Sequence, residues 1–380
     1  MHPTAAPEER AFLVAARVRG SEDGWSVEGS LEELALLADT AGARVVGQTV
    51  QRLLRPRPST YIGRGKVQEI AAQRASLGYT TVIFDDELSP SQQRTLEKAL
   101  EVKVLDRTAL ILDIFAQHAR TREGRLQVEL AQHEYILPRL RGQWSHLERL
   151  EGRIGTRGPG ETQLETDRRL IRNRISALKR QIEQVRQQRA LHRRQRARQG
   201  LPVVSLVGYT NAGKSTLMRA LSGADVLVED RLFATLDPVT RRIRLPSGAT
   251  ALLTDTVGFI QKLPTQLVAA FRATLEELTE AALLLHVVDI SHPDALQQAQ
   301  TVWATVAELE LAVKPGVVAL NKADLLVDGE GASLEEALES ERMLALLEPW
   351  GAEAVVISAA RGWGLEGLRA RIEGVLAETA

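Results

Sequence analysis

The chain has 380 residues, 44% of them hydrophobic, enough for two or three domains with ordinary buried cores. No apolar run reaches the roughly 18 residues that a membrane-spanning helix needs, and "AFLVAARV" is too short for a signal peptide. The absence of cysteine excludes disulfides, cysteine-ligated zinc, iron–sulfur clusters and thiol nucleophiles. The expected location is the cytoplasm. The net charge of −1 conceals an asymmetry: residues 1–119 carry 14 basic and 16 acidic side chains, residues 120–200 carry 20 and 9, and residues 201–380 carry 14 and 24. A middle segment of net +11 is either built for a polyanion, most simply RNA, or is a solvated face in a chain that uses 40 Arg against 8 Lys.

Residues 1–119 read as a small parallel α/β subdomain. Candidate strands "FLVAARV", "ARVVGQTV", "TTVIFDDEL" and "VKVLDR" alternate with helical patterns "SLEELALLADTAG", "KVQEIAAQRASLG" and "SPSQQRTLEKALE". Ser30 and Ser89 are the expected N-caps, and Gly42 the stop of the first helix. Within this part, "YIGRGK" places Gly63, Gly65 and Lys66 at a helix start. There they make a second nucleotide site, an RNA phosphate contact or a plain helix N-terminus.

Residues 120–200 read as an antiparallel helical hairpin: "REGRLQVELAQHEYILPRL", a Gly-, Pro- and Arg-rich loop, then a helix to about Gln199. Leu164, Ile171, Ile175, Leu178, Ile182 and Val185 are spaced as a heptad seam. In the loop, Trp144 beside Arg141 and His146 either stacks on an unpaired base or packs at the tip, and Arg153 and Arg157 either grip RNA or belong to a structured turn.

Residues 201–380 begin with "VVSLVGYTNAGKSTLMRAL", an apolar strand running through Gly208, Tyr209, Thr210, Asn211, Ala212, Gly213, Lys214 and Ser215 into a helix, the strand–loop–helix context that a phosphate-binding loop requires. Backbone N–H groups there wrap the β-phosphate, Lys214 reaches the β- and γ-phosphates and Ser215 ligates Mg²⁺. "LFATLDP" supplies Phe233, Ala234, Thr235, Leu236 and Asp237, a switch segment whose Thr235 completes the Mg²⁺ shell or is a plain loop threonine. "TDTVG" supplies Asp255, Thr256, Val257 and Gly258, with Asp255 holding Mg²⁺ through water and the Gly258 N–H facing the γ-phosphate. "NKAD" supplies Asn321, Lys322, Ala323 and Asp324. A carboxylate at Asp324 accepts two N–H groups of guanine and would be stranded by adenine, so GTP and GDP are the expected ligands. Ser358, Ala359 and Ala360 form a backbone loop for the guanine oxygen. A Ras-like P-loop G domain therefore follows the hairpin.

Taken together, "GYTNAGKST", "LFATLDP", "DTVGFI", "NKAD", "IGTRGPGETQLETDRRLI", "STYIGRGKVQEI" and "RTREGRLQVELAQ" resemble the HflX family of ribosome-associated GTPases over nearly the whole length. The resemblance implies a monomer that binds the rRNA of the large ribosomal subunit, its hairpin loop reaching toward the peptidyl-transferase centre, and that separates stalled ribosomes into subunits. A GTP-timed assembly or anti-association factor is the alternative. The chain ends about twenty residues after Ser358, so the extra C-terminal domain of longer members is expected to be missing. A tRNA-modifying GTPase of the kind that uses a C-terminal cysteine is disfavoured because the chain has none.

Phe259 follows Gly258 where Ras-like enzymes keep the glutamine that orients water. Phosphoryl transfer depends mainly on positioning and charge neutralisation, so the charge can come from elsewhere. Asn211 resembles the K⁺ ligand of GTPases that combine Gly-x-x-Asn-x-Gly-Lys-Ser with a hydrophobic residue after Asp-x-x-Gly, or else it only braces the loop. Catalytic expectations therefore fall on Lys214, Thr235, Gly258 and Asn211. Arg231, Arg241 and Arg242 are runner-up sources of charge, and Phe259 is either swung away from the phosphates or packed.

Overall fold

The computed structural model describes residues 9–20, 25–140, 159–197, 200–223, 232–233, 235–236, 238–263, 276–308, 314–327, 333–339, 343, 347, 350 and 354–378, with 159–164, 189–197 and 276–277 described by backbone alone. Two compact units divide between Val185 and Arg186.

In the first unit, β1 (Glu9–Val18), β2 (Ala43–Leu53), β3 (Thr81–Phe84) and β4 (Lys103–Asp106) form a sheet in the order β2-β1-β3-β4, parallel throughout. Helices α1 (Val27–Thr40), α2 (Arg64–Leu77) and α3 (Pro90–Leu100) make the crossovers that parallel pairing demands. β3 is buried at every position, as a strand covered on both faces must be.

Helix α1 corrects one expectation. It starts a turn before Ser30, capped by Ser26, whose hydroxyl accepts from the Gly29 N–H at 2.9 Å. Ser30 lies inside the helix and donates to Asp85 Oδ2 at 2.7 Å, so a long-range partner claims the hydroxyl that local pattern assigns to a cap. Ser89 does cap α3, in a full capping box with Gln92 and with Pro90 at the first position. A further helix, α4 (Arg107–His118), follows β4 without a loop. Asp106 caps it, accepting from the Ala109 N–H at 2.8 Å. Arg107 at its start is 2% exposed and pairs with Glu33 and, at 2.7 Å, with Asp85.

Helices α5 (Arg122–Arg139) and α6 (Pro159–Ala197) form the hairpin. Leu126, Leu130, Ile175 and Leu178 are its buried seam, flanked by Leu137, Ile171, Ile182 and Val185. Each buried leucine or isoleucine contributes about 1.5–3 kcal/mol, while Glu129–Arg174 at 2.6 Å and Glu134–Lys179 at 2.8 Å are surface pairs of small worth. Trp144, Arg141, His146, Arg153 and Arg157 lie outside the described residues. Arg139 anchors the end of α5: its guanidinium lies 3.4 Å from the centre of the Tyr135 ring and reaches Asp106 at 3.1 Å.

In the second unit a six-stranded sheet runs in the order β10-β9-β8-β5-β7-β6. The strands are β5 (Val203–Gly208), β6 (Val239–Arg244), β7 (Thr250–Asp255), β8 (Leu283–Asp289), β9 (Gly316–Asn321) and β10 (Ala354–Val356). Only the edge strand β6 is antiparallel. Helices α7 (Lys214–Ser222), α8 (Ala295–Glu308), α9 (Leu334–Glu339) and α10 (Leu365–Glu378) complete it. Among the described residues no helix is long and apolar enough to cross a membrane.

The central strand β8 carries an anomaly. His286 is 1% exposed, with Trp303 edge-on at 5.2 Å and Trp350 at 6.2 Å, and neither ring nitrogen has a hydrogen-bond partner among the described residues. Burial, helped by the Lys214 charge, pushes the imidazole from its usual 6.5 down to about 3. The unfolded chain takes up this proton as pH falls through 6.5, whereas the folded chain resists until about 3, so stability is complete above 6.5 and lost on acidification. His286→Leu should therefore lose about 2 kcal/mol less stability than the unaltered chain between about pH 7.5 and pH 5, measured by urea unfolding at each pH.

Candidate functional site

The site is assembled where the carboxyl ends of β5, β7 and β9 meet the start of α7. From Gly208 the chain leaves β5, turns through Asn211 and Gly213 at φ 59° and 91°, and enters α7 at Lys214. Gly213 is required twice over. Its φ favours glycine, and a Cβ there would stand 2.3 Å from Asn321 Nδ2. At Gly258 a Cβ would meet the Thr210 backbone at 2.7 Å and Lys214 Nζ at 3.1 Å, so the segment after β7 lies directly on the loop.

Lys214 is buried and donates to the carbonyls of Gly208 at 3.1 Å and Tyr209 at 2.8 Å. Burial lowers its ammonium from 10.5 to about 8, opposed by the charge of Asp255. Asp255 is 1% exposed, and burial raises its carboxyl while Lys214, Ser215 and Thr235 pull it down. One oxygen, Oδ2, accepts from Ser215 Oγ at 2.7 Å and from Thr235 Oγ1 at 3.2 Å, and the two hydroxyls are 2.8 Å apart. The other, Oδ1, has no partner among the described residues. Two hydroxyls and a half-unsatisfied buried carboxylate form a hard-oxygen cluster of the sort Mg²⁺ takes, so the donor set fits that ion.

The loop is also gripped from the switch side. Thr210 N–H donates to the Phe259 carbonyl at 2.7 Å, Phe259 N–H to the Gly208 carbonyl at 3.1 Å, and Gln261 N–H to the Tyr209 hydroxyl at 2.9 Å. Phe259 is 3% exposed, so its ring is a packing residue. Thr256 donates its hydroxyl to the Leu206 carbonyl at 2.6 Å, Val257 is buried beside it, and Phe233 and Leu236 are buried in the first switch. Ala234, Asp237 and Arg231 lie outside the described residues, and Arg241 and Arg242 are exposed on β6.

On the nucleoside side, Asn321 donates through Nδ2 to the Ala212 carbonyl at 2.9 Å and accepts at Oδ1 from the Ala359 N–H at 3.0 Å. It is thus a brace between the phosphate loop and the loop of Ser358, Ala359 and Ala360. Lys322, at φ 67°, ion-pairs with Asp289 of β8 at 2.7 Å, and Ser358 accepts at Oγ from the Arg361 N–H at 3.0 Å. Ala323 is buried, while Asp324 is half-buried with no side-chain partner among the described residues. Sequence reasoning missed Asp289, whose only signal is its place at the end of the apolar run "LLLHVVD". In the first unit, Lys66 is held by Glu69 at 2.9 Å and Thr49 at 3.3 Å, and the Gly63 N–H donates to Gln51 Oε1 at 2.7 Å.

A phosphate loop with a buried lysine, an aspartate-held switch and an Asn-Lys-x-Asp loop on a mostly parallel sheet defines a P-loop GTPase. Three sequence families match in succession: GTP-binding GTPase N-terminal over residues 28–116, GTP-binding GTPase Middle Region over 118–196, and 50S ribosome-binding GTPase over 203–322. The GTPase HflX of Alkalihalophilus pseudofirmus is 53% identical over 84% of this chain and 75% of its own length. That of Escherichia coli K12 is 48% identical over 79% and 70%, and that of Chlamydia pneumoniae 45% identical over 99% and 78%. A solved GTP-binding protein of the archaeon Sulfolobus solfataricus, in complex with GDP, aligns with 98% of this chain and 100% of its own at 24% identity and a TM-score of 0.46, too loose a superposition to carry an argument. The chain belongs to the HflX family of GTPases.

Asn321→Ala would strand a buried carbonyl and a buried N–H, each at about 1–3 kcal/mol. Affinity for GDP should fall more than tenfold and the thermal midpoint by several degrees, read by fluorescent-nucleotide titration and calorimetry.

Proposed function

We propose that this GTPase is a GTP-gated factor that binds the large ribosomal subunit and separates stalled or idle ribosomes into subunits. The observation that carries the gating is the shared Asp255 oxygen: Ser215 of the phosphate loop and Thr235 of the switch meet on one buried acceptor, so the state of the site is expressed as the position of a chain segment. The partner is supported by the description of the family matched over 203–322 and by the +11 charge of residues 120–200, which a phosphate backbone attracts through counterion release. In this reading residues 1–119, 120–200 and 201–380 serve as scaffold, RNA-binding hairpin and G domain.

The phosphates of GTP lie in the loop from Gly208 to Ser215, on backbone N–H groups at the start of α7. Lys214 exchanges its two carbonyl partners for phosphate oxygens, and the added negative charge returns its ammonium toward its ordinary range. Ser215 and Thr235, with Asp255 beside them, would hold Mg²⁺, which would supply neutralisation of charge on the β- and γ-phosphates. The Gly258 N–H and the Thr235 backbone orient the attacking water, a task the packed Phe259 ring leaves to the backbone. Asn211, exposed in the loop, would hold K⁺ through its amide oxygen. The Asp324 carboxylate accepts the guanine N–H pair, and Ala359 and Ala360 face the guanine oxygen.

GTP turnover should be about tenfold faster in KCl than in NaCl, the equivalent of ~1.4 kcal/mol at the transition state, and faster again with large subunits; equal rates in both salts would remove Asn211 from the account. Deleting residues 139–160 should abolish co-sedimentation with large subunits. With the intact chain and GTP, light scattering from whole ribosomes should drop, and an unchanged signal would leave an assembly factor.

A further inference from the structure

The two switch segments are both tied to Thr210 of the phosphate loop. Tyr209 and Thr210 are tied twice to the segment after β7: by the Thr210 N–H to the Phe259 carbonyl, part of the parallel bridge between Tyr209 and Phe259, and by the Gln261 N–H to the Tyr209 hydroxyl. Thr210 also faces the other way. Its Oγ1 accepts from the Phe233 N–H at 2.8 Å, in the first switch. Phe233 is 2% exposed and stands at φ 57°, a left-handed conformation that a bulky residue adopts only when its surroundings hold it there. Two residues beyond it is Thr235, on the Asp255 oxygen.

We infer that the hydroxyl of Thr210 is a positioning residue for hydrolysis, fixing the first switch in register with the second and so supplying through the backbone the order that a glutamine side chain supplies elsewhere. The geometry is short-ranged. A two-residue reach, at most about 7 Å, separates the Phe233 anchor from Thr235, and one residue separates the Phe259 anchor from Gly258. With both anchors on Thr210, neither reacting segment can shift without breaking a hydrogen bond made by a buried group. Removing the acceptor takes from the buried Phe233 N–H its hydrogen bond to Thr210, which frees the switch to leave the loop and take Thr235 off the Asp255 oxygen. GDP makes little demand on that switch, so the defect should appear in turnover and not in GDP binding.

The inference concerns the GTPase activity alone and is tested on the full chain with Mg²⁺ and K⁺ in the absence of ribosomes, independently of the partner assignment. Thr210→Val keeps the shape and deletes the acceptor; Thr210→Ser keeps the acceptor. At saturating GTP, kcat of the valine variant should fall about tenfold while Kd for GDP changes less than about threefold, and the serine variant should recover kcat to within about twofold. GDP binding near the unaltered value also reports that the variant is folded. An unaltered kcat in Thr210→Val, a parallel loss of turnover and GDP affinity, or a serine variant as slow as the valine one overturns the inference.

Discussion

The second unit depends on one buried carboxylate. Asp255 ends β7 at 1% exposure, where burial raises its carboxyl and Lys214, Ser215 and Thr235 pull it partly back down. A charge so placed is costly unless paired and hydrogen-bonded. The fold meets the cost by bringing a lysine from the start of α7 and a threonine from a distant loop to the same point. Its second oxygen, Oδ1, is left without a partner among the described residues, and with the two hydroxyls it makes a donor set that fits a hard cation. The same constraint puts a serine of the phosphate loop and a threonine of the switch on one oxygen.

Around that point the loops brace one another mostly through backbone groups. Asn321 joins the phosphate loop to the loop at Ala359, Lys322 reaches Asp289, and Thr210 takes one hydrogen bond from one switch and gives one to the other. The contacts at Asn321 and Thr210 tolerate little displacement, since breaking them strands a buried polar group. Phe259 joins this bracing through its backbone N–H and carbonyl while its ring is packed. The first unit uses the same device for a different purpose: Asp85 at the end of β3 gathers Ser30 and Arg107, and Asp106 gathers Tyr135 and Arg139, so the sheet ends are tied to α1, α4 and α5.

Much of this was legible in the chain because local chemistry and tertiary structure agree. The spacing Gly208-x-x-x-x-Gly213-Lys214-Ser215 after an apolar strand has few conformations open to it, and Ser89-Pro90-x-Gln92 carries its own cap. Where the reading failed, a distant partner overrode a local preference. Ser30 follows the N-cap rule in isolation, yet Asp85, 55 residues on, takes its hydroxyl. Helix α4 begins directly at the end of β4, with no turn residue to announce it, because Asp106 serves as strand end and cap together. His286 and Asp289 sit in an apolar run that reads only as a buried strand.

The sequence by itself determined the ligand class, the order of the parts and the residues at each strand end, since motif spacing and charge segregation are properties of the chain. Tertiary structure alone decided how those residues meet. The shared oxygen of Asp255, the brace of Asn321 and the double grip of Thr210 each join groups far apart in sequence. Such contacts are set by the register of parallel strands, whose carboxyl ends are brought to one edge by crossovers that no local pattern encodes.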